Sequence, residues 1–373
     1  MFLTYENKKS EKEILGSTKK AALKSLSGKD SVNKLIQGDN LAILKALLED
    51  YKLGGKVDLI YIDPPFATNG HFKMSEGRAN TISMANGDDI AYSDTLVGTG
   101  FLEFLRERLI FLRELMSDKA SIYLHIDYKI GHYVKIIIDE IFGRKNFRND
   151  ITRIKCNPKN FNRKAYGNVK DLILFYSKSE SPTWNDPITP FTEEDIARLF
   201  KKIDKDGRKY TTIPLHAPGE TVSGRTGQEW QGMKPPKGRH WRSEPEVLEQ
   251  LDEQGLIEWS ATGVPRKKIF ADEKEGKKMQ DIWEFKDSQY PSYPTEKNLN
   301  LLKFIIKASS NEGDLVLDCF CGSGTTLIAA QELNRKWIGI DKSEQAIKVA
   351  KKRLSEIPSS LFSRLDYEML VQK

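Results

Sequence analysis

The segment from Leu315 to Asp341 constrains the fold more than any other part of the chain. A hydrophobic stretch that reads as a buried strand (315–318) runs into a glycine-rich turn and then into an apolar helix (327–333). A second strand (336–340) ends at Asp341. This order is typical of a nucleotide-binding βαβ unit, in which glycines let the backbone approach the ligand and a terminal acid binds ribose hydroxyls. The chain is therefore predicted to contain an open α/β sheet.

The glycine turn limits which nucleotide can bind. Gly322 and Gly324 occupy two glycine positions, but Leu327 stands where a dinucleotide-binding turn carries its third glycine or alanine. The turn is therefore a poor cradle for a pyrophosphate. NAD binding is the weaker alternative, and a nucleoside whose tail is an amino acid is the better fit.

A second strand motif indicates the chemistry. The tetrapeptide Asp63-Pro64-Pro65-Phe66 follows a buried-type strand (57–62), so it lies at the carboxyl end of that strand, where open α/β sheets bind ligands. Two prolines stiffen the turn and remove two N–H donors. A carboxylate, free carbonyl groups and an aromatic ring can hold an amino group while stacking a flat ring, as a nucleobase requires. The alternative is a structural Asp-Pro turn with a packed aromatic ring.

Together these motifs resemble those of the beta group of amino DNA methyltransferases, which use S-adenosylmethionine. The tetrapeptide 63–66 is similar to their catalytic motif, and residues 320–324 are similar to their cofactor loop. The catalytic motif precedes the cofactor loop, which is the permuted order of that group. Residues 37–40 and 293–297 resemble two further segments of the group. The sequence departs from the group at Tyr293, where His is expected, and at the last tetrapeptide residue, where Tyr is commoner.

The resemblance implies an α/β fold with a doubly wound, mostly parallel, seven-stranded Rossmann-like sheet that is circularly permuted and carries an inserted target-recognition region. It assigns the ribose to Asp341, the adenine to Asp39, and the methionine end of the cofactor to Lys297 with the 322–325 turn. The full set predicted to bind S-adenosylmethionine is Asp39, Asn40, Thr295, Lys297, Asp318, Phe320, Gly322, Ser323, Gly324, Thr325 and Asp341.

The implied reaction is methyl transfer to the exocyclic amine of a flipped-out base in double-stranded DNA. Asp63 is similar to the first motif residue of adenine-N6 enzymes, whereas cytosine-N4 relatives more often carry Ser. Adenine is therefore expected, and cytosine is the alternative. An RNA or protein amine methyltransferase and a non-catalytic DNA-binding subunit are alternatives from other classes. A type II or III restriction-modification setting with a cognate nuclease, and a homodimer formed through apolar helices within 101–142, are further expectations.

The net charge of +6 is concentrated in residues 201–242, which hold ten Lys or Arg against four acids. Interleaved aromatic residues, Gly and Pro predict a loop-rich segment suited to contacts with phosphates and base edges. A solvated surface insertion is the alternative. Trp241 is expected to anchor this segment. The residues predicted to contact DNA are Arg225, Lys234, Lys237, Arg239 and Arg242.

The predicted organisation is an N-terminal extension (1–33) that packs on the domain or meets DNA, a catalytic half (34–180), a recognition region (181–284) and a cofactor half (285–373). A long loop at 67–100 is expected to close over substrate. The chain has no apolar run of about 20 residues and no signal-peptide pattern, so a cytoplasmic protein is expected. Three cysteines without zinc spacing predict neither a disulfide framework nor a metal site.

Overall fold

The chain forms two compact units, one made of Met1–Pro187 with Gln280–Lys373 and the other of Ile188–Met279. The predicted recognition region, 181–284, extends a few residues beyond both ends of the second unit. The computed structural model describes the backbone alone at His71–Ser75, Arg78–Asn80 and Asp89–Ser93. It describes in full residues 2–28, 30–65, 98–158, 164–221, 223–288, 296–357 and 366–373.

The first unit begins with four helices and nine strands in the described residues. The helices are α1 (Glu11–Ser17), α2 (Asn40–Glu49), α3 (Thr99–Leu115) and α4 (Gly131–Phe142). The strands are β1 (Leu23–Ser27), β2 (Lys34–Gln37), β3 (Val57–Ile62), β4 (His71–Ser75), β5 (Arg78–Asn80), β6 (Asp89–Ser93), β7 (Met116–Ile126), β8 (Phe147–Ile154) and β9 (Lys170–Ser177).

The second unit is built mainly of short antiparallel strands. Its helices are α5 (Glu193–Leu199) and α6 (Pro245–Glu253). Its strands are β10 (Ile188–Thr189), β11 (Lys202–Ile203), β12 (Lys209–Pro214), β13 (His216–Pro218), β14 (Arg239–Trp241), β15 (Ile257–Trp259), β16 (Pro265–Phe270) and β17 (Lys277–Lys278). They form the sheets β11-β12-β16-β15, β13-β14 and β10-β17.

The first unit then resumes with the elements that follow the second unit. The helices are α7 (Leu299–Ser309), α8 (Thr325–Glu332) and α9 (Glu344–Ser355). The strands are β18 (Ile282–Glu284), β19 (Leu315–Asp318), β20 (Lys336–Asp341) and β21 (Glu368–Gln372).

The main sheet of the first unit contains ten strands in the order β1-β21-β2-β20-β19-β3-β7-β9-β8-β18, counted over the described residues. Neighbouring strands from β21 to β7 are all parallel, while β9 runs antiparallel to both β7 and β8. The predicted mostly parallel α/β sheet is confirmed, but the predicted count of seven is too low. The additional strands β1, β21 and β18 are short, with five, five and three residues, and lie at or next to the two edges of the sheet.

Helices cover both faces of this sheet, as a doubly wound fold requires. Alternate residues of a strand point to opposite faces. Ile60 and Ile62 of β3 belong to the core that includes α2, α3 and α4. Leu59 and Tyr61, on the other face of the same strand, are equally buried. The sheet therefore has a packed layer on each side of β3, which leaves the strand ends as the place for a ligand.

The N-terminal extension packs on the first unit. Tyr5 donates a hydrogen bond to Glu103 on α3, and Glu11 on α1 pairs with Arg113 at 2.8 Å. The 67–100 segment differs from its predicted loop, since the backbone of β4, β5 and β6 forms an antiparallel sheet. The prediction that this segment closes over substrate concerns side chains that lie outside the described residues. Among the helices that the structure describes, none is long and apolar enough to span a membrane.

The second unit has its own small core, formed by Leu215, Trp230, Trp241, Leu248 and Ile257. The indole N–H of Trp241 donates to the carbonyl of Gln228 at 2.9 Å, and its ring meets Trp230 edge to face. The prediction that Trp241 anchors this segment is confirmed, because the side chain is buried rather than presented to a ligand.

A buried ion pair ties β21 to β2 and gives a first test of the fold. Lys34 lies 2.6 Å from Glu368, and both side chains are largely buried. The change Glu368→Gln leaves the ammonium group without its counter-charge, which should lower the free energy of unfolding by about 3 kcal/mol. Chemical denaturation measures the change. The matched control is Glu344→Gln, which breaks an exposed pair with Lys348 and should change stability little.

Candidate active site

The parallel sheet brings together strand ends that are far apart in the sequence. Leu317 of β19 pairs with Ile60 of β3, and Gln37 of β2 pairs with Asp341 of β20. Because the strands are parallel, their carboxyl ends share one edge of the sheet. The residues predicted to act on the base and those predicted to hold the cofactor therefore lie along a common edge.

The glycine turn between β19 and α8 is fastened to Asp341. Gly322 and Gly324 have φ angles of +50° and +78°, in the left-handed region that favours glycine. Asp341 Oδ2 accepts from the Gly322 amide at 2.9 Å, and Oδ1 accepts from the Ser343 amide at 2.8 Å. Burial raises the pKa of Asp341, while these amide bonds oppose the rise. A Cβ added at Gly322 would meet no described atom within 4 Å, so the turn leaves room for a ligand.

Arg353 supports the turn from α9. Its guanidinium donates to Ser323 Oγ at 2.8 Å, to the Ser323 carbonyl at 3.1 Å and to Thr325 Oγ1 at 3.0 Å. Glu296 lies 2.7 Å from the same guanidinium. Ser323 and Thr325 are predicted to bind the cofactor, and their buried hydroxyls accept hydrogen bonds from this arginine. No sequence signal marks Arg353, which is one of several basic residues on α9.

Asp318 ends β19 and shapes the start of the turn. Its Oδ1 accepts from the Phe320 amide at 2.9 Å, and its Oδ2 accepts from the Thr326 hydroxyl at 2.6 Å. Burial raises the pKa of Asp318 to about 7, although both hydrogen bonds oppose the rise. Phe320 itself is partly exposed and lies beside Phe104, with ring centroids 6.1 Å apart.

Asp39 and Asn40 occupy the carboxyl end of β2. Asp39 is the N-cap of α2, since its Oδ1 accepts from the Ala42 amide at 3.2 Å, and its side chain is 45% exposed. Asn40 donates to the Cys319 carbonyl and accepts from Arg108, each at 2.7 Å. Asn40 thus links the cofactor loop to α3. Arg108 is a further member of this cluster that sequence reasoning missed.

Asp63 follows β3, with Pro64 buried and Pro65 partly buried. Its Oδ2 lies 2.7 Å from the ammonium group of Lys297. Its Oδ1 is buried and accepts no hydrogen bond from any residue that the structure describes. Lys297 was predicted at the methionine end of the cofactor, whereas here it contacts the first residue of the tetrapeptide. Phe66 and Thr295, also predicted as site residues, lie outside the described residues.

A buried polar network stands behind Asp63. His125, near the end of β7, has Nδ1 2.9 Å from the Tyr61 hydroxyl and Nε2 3.1 Å from Asp171. Asp171 also accepts from Lys155 at 2.6 Å. Burial lowers the pKa of His125, and the nearby Lys297 lowers it further. Sequence reasoning missed this network, because β7 and β9 read as ordinary hydrophobic strands.

Cys319 and Cys321 are free, buried cysteines at the glycine turn. Burial raises the pKa of the Cys319 and Cys321 thiols, so both are protonated, inert side chains at the turn. Within the described ranges, no three His, Cys, Asp or Glu side chains cluster as a metal site would require.

The residues predicted to contact DNA fall into two groups in the second unit. Arg225 is held by Glu244 at 3.0 Å and Glu246 at 2.6 Å. Arg239 and Arg242 are exposed, as are Lys234 and Lys237, and no described carboxylate forms a salt bridge with any of these four.

Positive charge concentrates around His216, which has three arginines nearby. Arg239 lies 3.2 Å from His216 Nδ1, and Arg242 donates to the Pro214 carbonyl at 3.1 Å. Burial lowers the pKa of His216, and the charges of Arg239, Arg242 and Arg266 lower it further. Arg266 lies beyond the 201–242 segment and was missed by sequence reasoning. We call Arg239, Arg242 and Arg266 the arginine cluster.

The fold and the strand-end site define a nucleoside-binding α/β enzyme class. A family model described as DNA methylase, of the N6/N4 type, matches residues 57–352. A type II methyltransferase, M.EcaI of Enterobacter cloacae, is 44% identical over 329 residues, covering 87% of this chain and 69% of that protein. The chain therefore belongs to the N6/N4 DNA methylase family, and membership makes S-adenosylmethionine its methyl donor.

More distant similarities include the StyLTI Mod subunit of a type III restriction-modification enzyme from Salmonella typhimurium. It is 27% identical over 342 residues, which cover 83% of this chain and 51% of that subunit. The chain thus spans about half the length of this relative. Among solved structures, the PvuII cytosine-N4-specific DNA methyltransferase matches with a TM-score of 0.49 and 14% identity, covering 88% of each chain.

The open space beside Gly322 predicts a selective effect on cofactor affinity. Gly322→Val places a branched side chain in the ligand space and forces a positive φ on a residue that resists it. We expect calorimetry to show at least about a tenfold loss of S-adenosylmethionine affinity, because close backbone approach is blocked.

The matched control for this change is Gly313→Val. Gly313 also has a positive φ, +83°, and no described atom within 4 Å of an added Cβ, but it lies before β19. It should show similar backbone strain with parental cofactor affinity. Equal affinity of both variants and the parent would mean that the glycine turn is only structural.

Proposed function

We propose that the protein is a site-specific DNA methyltransferase that methylates the exocyclic N6 of an adenine flipped out of duplex DNA. The observation that carries this proposal is the buried Asp63 Oδ1, which accepts no hydrogen bond from the described residues. A buried polar atom without a partner is costly, and such atoms in native proteins commonly serve a ligand. An amino group supplies the missing donor.

The chemistry follows from what an exocyclic amine lacks. Its lone pair is delocalised into the ring, so the nitrogen is a weak nucleophile. When Asp63 Oδ1 accepts one N–H and the Pro64 carbonyl accepts the other, the nitrogen moves towards tetrahedral geometry and its lone pair localises. The nitrogen becomes acidic only after it is methylated, so Asp63 acts first by orienting and stabilising the amine. Positioning and electrostatics therefore supply most of the rate.

S-adenosylmethionine supplies an electrophilic methyl group on its sulfonium when it is bound. Asp341 and Asp39 would hold the ribose and the adenine of this cofactor, and Gly322 with Gly324 would allow the turn to approach its methionine end. Phe320 and Asp39 are both partly exposed. They therefore present surface at the edge of the sheet where the cofactor is proposed to bind.

Adenine is favoured over cytosine because position 63 holds a carboxylate rather than a hydroxyl. Extruding a base costs roughly a few kcal/mol, which stacking on an aromatic ring partly offsets. The family resemblance assigns that ring to Phe66. The alternative is cytosine N4, whose amine could meet the same two acceptors.

The second unit is proposed to read the DNA target. Arg239, Arg242 and Arg266 combine positive charge with planar forks that can bind phosphates or the O6 and N7 of guanine. Arg225 is a weaker candidate than the sequence suggested, because two glutamates already neutralise it. Lys234 and Lys237 are exposed and suit phosphate contacts.

The names of relatives suggest a restriction-modification setting, so we propose a cognate restriction endonuclease as a functional partner. A homodimer also stays a prediction. The apolar residues of α3 and α4 that suggested it, such as Leu105, Leu109 and Ile138, are buried within a single chain. They therefore no longer provide surplus apolar surface as an argument for pairing.

The role of Asp63 is tested by Asp63→Ala. Methyl transfer should fall at least about a hundredfold, because the site loses its transition-state acceptor. Cofactor affinity, measured by calorimetry, should stay close to that of the parent. Nucleoside analysis of DNA from cells that express the parent should detect N6-methyladenine, which disappears with the variant. N4-methylcytosine in its place would support the alternative base, and near-normal turnover of Asp63→Ala would refute the catalytic assignment.

The arginine cluster is tested by Arg239→Gln combined with Arg242→Gln, measuring DNA affinity against salt. If the two arginines bind phosphates, the log–log slope should become shallower by about 0.9 for each phosphate that the variant no longer neutralises. If they bind base edges instead, each substitution should cost about 1–3 kcal/mol on the cognate duplex and relax specificity there. Arg225→Gln is the control within the same unit and should leave affinity nearly unchanged. Parental affinity of the double variant on cognate and scrambled duplexes would mean that recognition lies elsewhere.

A further inference from the structure

The two oxygens of Asp63 have different surroundings. Oδ2 lies 2.7 Å from the ammonium group of Lys297, while Oδ1 is buried and accepts nothing from the described residues. The side chains are largely removed from solvent, with 17% of Asp63 and 13% of Lys297 exposed. Among the described residues, Lys297 therefore fixes one oxygen, and the other has no donor and can serve a ligand.

Lys297 restrains the carboxylate in two ways. First, the terminal torsion of an aspartate is broad, so an unrestrained carboxylate would rotate and spread its acceptor directions. A charge-assisted contact on Oδ2 fixes that rotation. Second, the cation occupies Oδ2, so a donor on a ligand is directed to the other oxygen. Both effects keep Oδ1 available as an oriented acceptor.

Among the described residues, His125 lies close to Oδ1 without donating to it. The hydrogen bond from His125 and the charge of Lys155 hold the pKa of Asp171 well below its usual range, although burial acts in the opposite direction. Asp171 is thus ionised and accepts the proton on His125 Nε2. In a neutral imidazole Nδ1 is then an acceptor, and the Tyr61 hydroxyl donates to it. His125 therefore presents no N–H to Asp63 Oδ1, which lies 4.0 Å away.

We propose that Lys297 is a positioning residue for methyl transfer, which fixes Asp63 Oδ2 so that Oδ1 is aimed at the substrate amine. This inference rests on the proposed role of Asp63 and differs from the cofactor-binding role that the sequence resemblance implied for Lys297. The two roles predict effects on different kinetic quantities. A residue that binds the methionine end governs cofactor affinity, whereas a residue that orients Asp63 governs the chemical step.

The test is Lys297→Met, measured as single-turnover methyl transfer at saturating DNA and cofactor, with cofactor affinity measured by calorimetry. The rate should fall about 10- to 100-fold, because the acceptor geometry is disrupted. The dissociation constant for S-adenosylmethionine should stay within about threefold of the parent. Lys297→Arg keeps a cation near Oδ2 and should recover most of the rate, which a purely packing role would not produce.

Lys303→Met is the matched control. It removes another ion pair from the same part of the chain, with Glu332 on α8, and should leave the rate unchanged. Weaker cofactor binding by Lys297→Met with a parental rate at saturation would overturn the inference and restore the role at the methionine end. The outcome for Asp63→Ala distinguishes failure of the proposed function from failure of this inference alone. An active Asp63→Ala rejects the proposed function, whereas an inactive Asp63→Ala with a fully active Lys297→Met rejects only this inference.

Discussion

The site depends on the parallel pairing of β19 with β3. Val316 and Leu317 lie beside Leu59 and Ile60, and this short ladder joins the two halves of a chain that the second unit interrupts. Without it, Asp63 and the glycine turn would sit on separate sheets. These four side chains are fully buried, so the register is fixed by packing on two faces at once. The position of Asp63 relative to the cofactor loop is therefore a property of the core rather than of flexible loops.

Charge burial is the second constraint on this edge of the sheet. Asp318, Asp341 and Asp63 all lie at neighbouring strand ends, and burial raises the pKa of the first two. Backbone amides meet the first two, and Lys297 meets the third. Each acid is thus stabilised by a different kind of partner. Amides fix a loop conformation, whereas the lysine side chain holds one oxygen of a carboxylate.

Much of this arrangement could be predicted from local sequence. The strand that ends in Asp63 and the turn at Gly322 carry their signals within a few neighbouring residues, because strand ends and glycine turns are local features. The pairing of Lys297 with Asp63 and the neutralisation of Arg225 by Glu244 could not be predicted. Those contacts join side chains from distant elements, and the sequence contains many other lysines and glutamates that could have formed such pairs. The edge strands were missed for a related reason, since β1 and β18 are too short, at five and three residues, to carry a clear local pattern.

The order of strands in the main sheet has a consequence for biosynthesis. β2 and β3 are not neighbours, because β19 and β20 lie between them. When the ribosome has finished β3, its partner on that side does not yet exist, and the whole of Ile188–Met279 must be made first. At about 5–20 residues per second, the open edge of β3 waits roughly 10–50 s for β19. During that interval the nascent chain carries unpaired apolar strand edges, which are sites for chaperone binding or for aggregation. This strand order therefore leaves the nascent chain with an unpaired strand edge for much of its translation.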